Sequence, residues 1–115
     1  MKKVKIILDG EIRSCCSSYP PDLVWEIVQG WLGDKAELEV IDKNQANWQP
    51  DPLASLAEKY FGSAIYPLVY VEDKIAMIGD IPDAQTLMEM IEGKVAYGVS
   101  GEDILDEARR HGLLK

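Results

Sequence analysis

The chain has 115 residues, 47% of them hydrophobic and 28% charged, with no repeated or low-complexity segment; this composition fits one domain that buries a core without a disulfide framework. A formal net charge of -8 sets the average surface against phosphate backbones and anionic membranes, so neither nucleic acid nor membrane is expected as a partner. The apolar run after Met1-Lys2-Lys3 is broken by Lys5 and stops at Asp9, too short for a secretory or membrane-spanning segment, which makes the cytoplasm the expected compartment.

In chain order, Val4 to Leu8 is a β-branched run bounded by Asp9-Gly10 and reads as a largely buried strand. A loop follows to Pro20. Because a residue before proline avoids the α region while proline suits the first helical turn, Pro20-Pro21 predicts a helix from Pro21 to Leu32. Leu23, Val24, Ile27, Val28, Trp31 and Leu32 supply its apolar face, and Gly33 its stop. Glu37 to Ile41 alternates like a half-wetted strand. Asp51-Pro52 then caps a second helix carrying Leu53, Leu56, Ala57, Tyr60 and Phe61 as far as Gly62. Ile65 to Val71 and Ile75 to Ile78, separated by Glu72-Asp73-Lys74, predict a hairpin, and a third helix runs from Pro82 to Ile91.

The resulting order, β-α-β-α-β-β-α, predicts a small mixed sheet with helices on both faces, an α/β thioredoxin-like architecture over residues 1–93. Residues 94–115 read as an extension. Ser100 and Asp103 have capping-box spacing, and Ile104, Leu105 and Ala108 form a narrow stripe, so a short appended helix is expected there, with a capacity for self-association.

The candidate chemistry centres on Cys15 and Cys16, the only cysteines of the chain, adjacent in the loop between the first strand and the first helix. Neighbouring Cα atoms sit about 3.8 Å apart, whereas disulfides prefer roughly 4.4–6.8 Å. The pair therefore reads as two reduced sulfurs offered to a soft metal, a metalloid or another thiol. Tyr66-Pro67 opens the third long strand, where a cis proline would face that loop. Pro67 joins the two cysteines as a candidate site residue. Gly79-Asp80-Ile81-Pro82 reads as a turn where glycine permits a close approach, and Trp48, in a polar stretch with Asn44, Gln45, Asn47 and Gln49, as a candidate contact surface. His111, the only histidine, lies where a cation favours a helix C-terminus.

The Cys15-Cys16-Ser17 loop and the segment from Tyr66 to Gly79 resemble the thioredoxin-like family that includes the arsenic metallochaperone of arsenical-resistance operons. The resemblance covers about residues 1 to 92. It implies that Cys15 and Cys16 bind trivalent arsenic or antimony, with Pro21 standing where the family has its third cysteine. Two expectations follow. The first is a vicinal-dithiol protein acting in thiol exchange, with glutathione or a protein thiol as partner, or in soft-metal binding without a required cofactor. The second is a non-catalytic interaction module using the acidic surface or the C-terminal helix to bind a protein.

Overall fold

A computed structural model describes residues 2–10, 12–13, 18–44 and 48–113. Its centre is β1 (Lys2–Leu8), paired in parallel with β4 (Ala36–Asp42) over seven residues and antiparallel with β5 (Leu68–Val71). β5 pairs in turn with β6 (Lys74–Ile78), giving a four-stranded mixed sheet in the order β4-β1-β5-β6. A separate two-stranded ribbon, β2 (Ile12–Arg13) and β3 (Ser18–Tyr19), lies in the connection out of β1.

Strand alternation divides the core into two layers. Val4, Ile6 and Leu8 project to the face covered by α1 (Pro21–Leu32) and α3 (Ala84–Ile91), where they meet Val24, Val28, Leu32, Leu87 and Ile91. Ile7, Leu68 and Tyr70 project to the opposite face, beneath α2 (Pro52–Phe61) and α4 (Gly101–Arg110). Among the described residues, a mixed α/β sheet with helices on both faces is as the sequence predicts, whereas α4, expected as an appendage, joins the second layer.

The helix ends follow local chemistry. Pro21 opens α1, the Pro20 carbonyl accepts from the amides of Leu23 and Val24 at 3.0 and 3.1 Å, and Gly33 closes the helix at φ 58°. Asp51 caps α2 by accepting from the Ala54 amide at 2.7 Å, and Asp83 caps α3 in the same way from Thr86. Ser100 and Asp103 complete a reciprocal capping box at α4.

α4 lies within the second layer. Ile104 and Ala108 are buried and pack toward α2, with Gly101 beside Leu53 and Leu56. Ile104 and Ala108 of the stripe expected to support self-association are thus already covered within the chain, and Leu105 is half-buried.

α1 departs from its predicted face. Its buried line is Val24, Val28 and Leu32, while Ile27 and Trp31 are each 37% exposed and Trp25 43%. The helix sits mainly against β4, and only the arc centred on the first line reaches the sheet.

The hairpin is tighter than its sequence suggests. Glu72 and Asp73 form a two-residue turn with φ of 50° and 65°, the left-handed geometry whose twist matches paired strands. Ala76 is left unpaired, because Val69 faces Met77 while Tyr70 faces Ile75. This bulge explains why consecutive residues Ala76 and Met77 pack on the same face, with Ile75 and Ile78 on the other.

Candidate functional site

The two cysteines that dominate the sequence reading lie outside the described residues. Before them in the chain, the end of β1 is tied to the end of β4. The Asp42 carboxylate accepts from the amides of Gly10 (3.1 Å) and Asn44 (3.0 Å), and Asn44 donates through Nδ2 to Asp9 at 2.8 Å. The ends of β1 and β4 are thereby held together.

Tyr66-Pro67 is a cis peptide, as the sequence reading has it, and Pro67 leads directly into β5. Gly79 closes this corner: its amide donates to the carbonyls of Ile65 (2.8 Å) and Pro67 (3.0 Å). A side chain at Gly79 would lie 3.0 Å from the Ala64 carbonyl, at φ 85°, so the close approach its glycine permits is to the backbone of this chain. His111 packs edge-on to Phe61 and its Nε2 lies 3.4 Å from Glu107, the environment of a helix end. Among the described residues, no group of three His, Cys, Asp or Glu side chains is arranged to hold a metal.

What the structure does assemble is an aromatic and carboxylate cluster around Trp48, beside the N-terminal end of α2. The half-buried Trp48 meets Tyr66 edge to face, with centroids 6.3 Å apart. Lys43 places its ammonium 4.9 Å from the Tyr66 ring centroid, within cation–π range. The Tyr66 hydroxyl donates to Glu58 at 2.8 Å, and the Tyr70 hydroxyl donates to Asp51 at 3.1 Å while the other oxygen of Asp51 caps α2. Burial, followed by the neighbouring carboxylate, raises both phenols well above the ordinary tyrosine range. Both are therefore fixed donors, and the two carboxylates are oriented by them.

Beside this cluster the sheet is open. Lys5, Trp48, Gln49, Asp51, Tyr70 and Asp73 line a cavity of about 210 Å³. Strand alternation puts Lys3, Lys5, Glu37 and Glu39 on the same side of the sheet as Ile7, and Lys3 pairs with Glu39 at 3.8 Å. Trp48, Lys5, the Tyr70 phenol and the carboxylates of Asp51 and Asp73 thus border one polar recess, while Lys43 sits over the neighbouring Tyr66 ring. Its chemistry is that of recognition: a planar group can lie against Trp48 while an anion meets Lys5.

Of this cluster the sequence reading singles out Trp48 alone. The missed signal is spacing: Asp51 caps α2 and Glu58 lies on it seven residues later, while Tyr66, just before β5, and Tyr70, within it, belong to the layer beneath that helix.

These elements define a mixed α/β domain with a polar aromatic recess. Comparison with known proteins adds a likeness to the transcription antitermination protein NusB. The NusB proteins of Listeria monocytogenes serotype 4b and Listeria welshimeri serovar 6b are 27% identical over 86 residues, 74% of this chain and 62% of theirs. The chain therefore spans less than two thirds of these relatives. No family model matches, and no solved structure matches.

This finding overturns several expectations. The matches are to a transcription protein and nothing points to arsenical resistance, so the resemblance to that thioredoxin-like family is withdrawn. With it goes the reading of Cys15 and Cys16 as a centre of thiol exchange or of arsenic, antimony or glutathione binding. Two adjacent cysteines after a strand are a short signal, and Pro21 already replaced the third sulfur. The exclusion of nucleic acid falls as well. A net charge of -8 describes the distant field, whereas contacts are decided within a Debye length of about 10 Å at about 0.1 M salt.

Proposed function

We propose that the chain is a non-covalent binding module of the transcription apparatus that contacts single-stranded RNA at the Trp48 recess. The observation that carries the reading is the 86-residue likeness to a transcription antitermination protein. The recess supports it with chemistry suited to an unpaired nucleotide: Trp48 for the base and Lys5 for a phosphate, with Lys43 over the neighbouring Tyr66 ring for a flanking one. Asp51 and Glu58 are held by Tyr70 and Tyr66, so they face the phenols in preference to an incoming strand. The setting implied is cytoplasmic, where transcripts are made.

As an arrangement of strands, and without kinship or activity attached, we read the sheet as thioredoxin-type. Support comes from the order β4-β1-β5-β6, the parallel β1–β4 pair and the antiparallel hairpin at the other side. Such a scaffold hosts many functions, so the recess and not the fold carries the proposal.

The test is fluorescence anisotropy with a labelled oligouridine of about ten nucleotides, long enough to cover one small site. Trp48→Ala is expected to weaken binding about fivefold or more, since one stacked base contributes about 1–3 kcal/mol. With two lysines engaged, the logarithmic salt slope should be shallow, about -1.4. No binding at low salt, or binding indifferent to both Trp48→Ala and Lys5→Glu, would refute the reading.

A further inference from the structure

The outer edge of β4 is a second surface, distinct from the recess at Trp48. β4 is seven residues long and terminates the sheet, and among the described residues no strand pairs with its outer side. Such an edge offers unpaired amides and carbonyls to any extended chain that reaches it. Native edges of this length are ordinarily blunted, and among the described residues one side-chain hydrogen bond reaches this one. The exposed Trp25 donates from Nε1 to the Leu38 carbonyl at 3.4 Å, beyond the usual range for a strong N–H···O bond. That contact shows that Leu38 directs its carbonyl outward, and by alternation Ala36 and Val40 do the same.

The ground beside the edge is acidic and concave. A recess of about 550 Å³ runs along it, bordered by Trp25, Asp34, Glu37, Leu38, Glu39 and the neighbouring Lys3. Among the described residues of that border Lys3 is the one cation, and it already lies 3.8 Å from Glu39. An extended segment laid against β4 would therefore meet three carboxylates, with the Trp25 ring free to cover an apolar or cationic side chain once its long hydrogen bond is released.

We propose that this edge accepts an extended basic segment of a partner protein, which adds a fifth strand to the sheet beside β4. The charge pattern selects that occupant over a second copy of this chain. Antiparallel self-pairing centred on Leu38 would set Glu37 of each chain opposite Glu39 of the other, and directly opposed like charges destabilise a pair of strands. Alternating Lys or Arg in the incoming strand turns the same positions into attractions, as strand-addition partners use backbone bonds for affinity and alternate side chains for choice. The inference stands independently of RNA binding, since it uses another surface and another ligand class.

The experiment is a titration of the full chain with a synthetic alternating Lys/Thr peptide of about nine residues, a typical strand length with flanks. It is followed by amide hydrogen exchange, with the Glu/Thr peptide of the same pattern as control. The expected result is slowed exchange at Leu38 and Val40, with no such effect of the acidic peptide; Ala36 is already buried. Glu37→Lys with Glu39→Lys should weaken binding about tenfold or more, two exposed charge reversals each contributing up to about 1 kcal/mol. Val40→Pro, which removes an outward donor, should abolish the protection. Because that proline also threatens the strand, the charge-reversal variant carries the decision on its own. Binding that leaves the Leu38 and Val40 amides unprotected, or that survives the charge reversal unchanged, overturns the proposal. Self-association protecting the same amides in the absence of peptide would overturn it in favour of the second copy.

Discussion

Replacing Ile104 by alanine tests whether α4 supports the body of the domain. Ile104 is 2% exposed and packs in the layer formed by α2 and the α2-facing side of the sheet. The change removes roughly three carbon groups, about 2.4 kcal/mol of transfer free energy at about 0.8 kcal/mol each. A cavity contribution adds to this, because surroundings relax only partly. Here it is small, since Ile104 already borders a recess of about 340 Å³ shared with Phe61, Ala64, Ile78 and Val99, into which neighbours can settle. The expected loss is about 3 kcal/mol, the lower half of the usual range for such truncations. For a chain of 115 residues that corresponds to a fall in Tm of about 12 °C. The assay is urea unfolding read by tryptophan fluorescence. Trp25 and Trp31 lie on α1 and Trp48 precedes α2, so the signal follows the domain and not the tail. Ile27→Ala, at a position 37% exposed, is the control and should change stability by less than about 0.5 kcal/mol. If Ile104→Ala proves no more damaging than Ile27→Ala, the argument that α4 belongs to the second layer fails.

Glu72 and Asp73 hold φ of 50° and 65°, which L residues adopt at a cost; Glu72→Asn with Asp73→Gly should raise stability by about 0.5–1 kcal/mol in thermal unfolding. Asp83 and Asp103 have carboxyls held below the ordinary value of 3.8, chiefly by the backbone amides of Thr86 and Ser100. A lowered folded pKa contributes stability above the unfolded value and loses it as pH falls through the folded one. Thermal unfolding between about pH 5 and pH 2 should therefore show a decline that is shallower in Asp83→Asn with Asp103→Asn. Tyr66 and Tyr70 have the opposite sign. Their folded pKa values lie above 10.0, so their contribution is complete below that value and is lost as pH rises through the folded ones. Phenolate absorbance should show these two rings ionising only at pH values where the fold itself is lost, and Tyr66→Phe with Tyr70→Phe should remove that late step.

Much of the fold was legible because local signals carried it. Pro20-Pro21 and Gly33 bracket α1 at both ends as observed, and Asp51-Pro52 and the Ser100-Asp103 spacing mark real caps. What failed was the width of buried faces. Periodicity put Ile27 and Trp31 inside, but how much of a helix touches a sheet depends on where it sits across the strands. The apolar run places the first strand at Val4, yet Lys2 and Lys3 also pair with β4 because the ladder is made by backbone. The candidate site was less legible. Trp48 stood out by its polar neighbours, whereas Tyr66, Tyr70, Asp51 and Glu58 become a cluster only when α2 is laid over β5. Function was obscured by the cysteine pair, whose rarity outweighed its short context.

The unpaired Ala76 leaves β6 with one residue more than its partnership with β5 requires. Excising it would keep every other match in place and leave Ile75 and Ile78 beneath the second layer with Met77 on the first. The displaced part would be the carbonyl of Ile75, which accepts from the Val99 amide at 2.9 Å. A one-residue deletion in this strand would thus spare the interior and shift the anchorage of the segment leading to α4, making the hairpin a place where length can change without scrambling inside and outside.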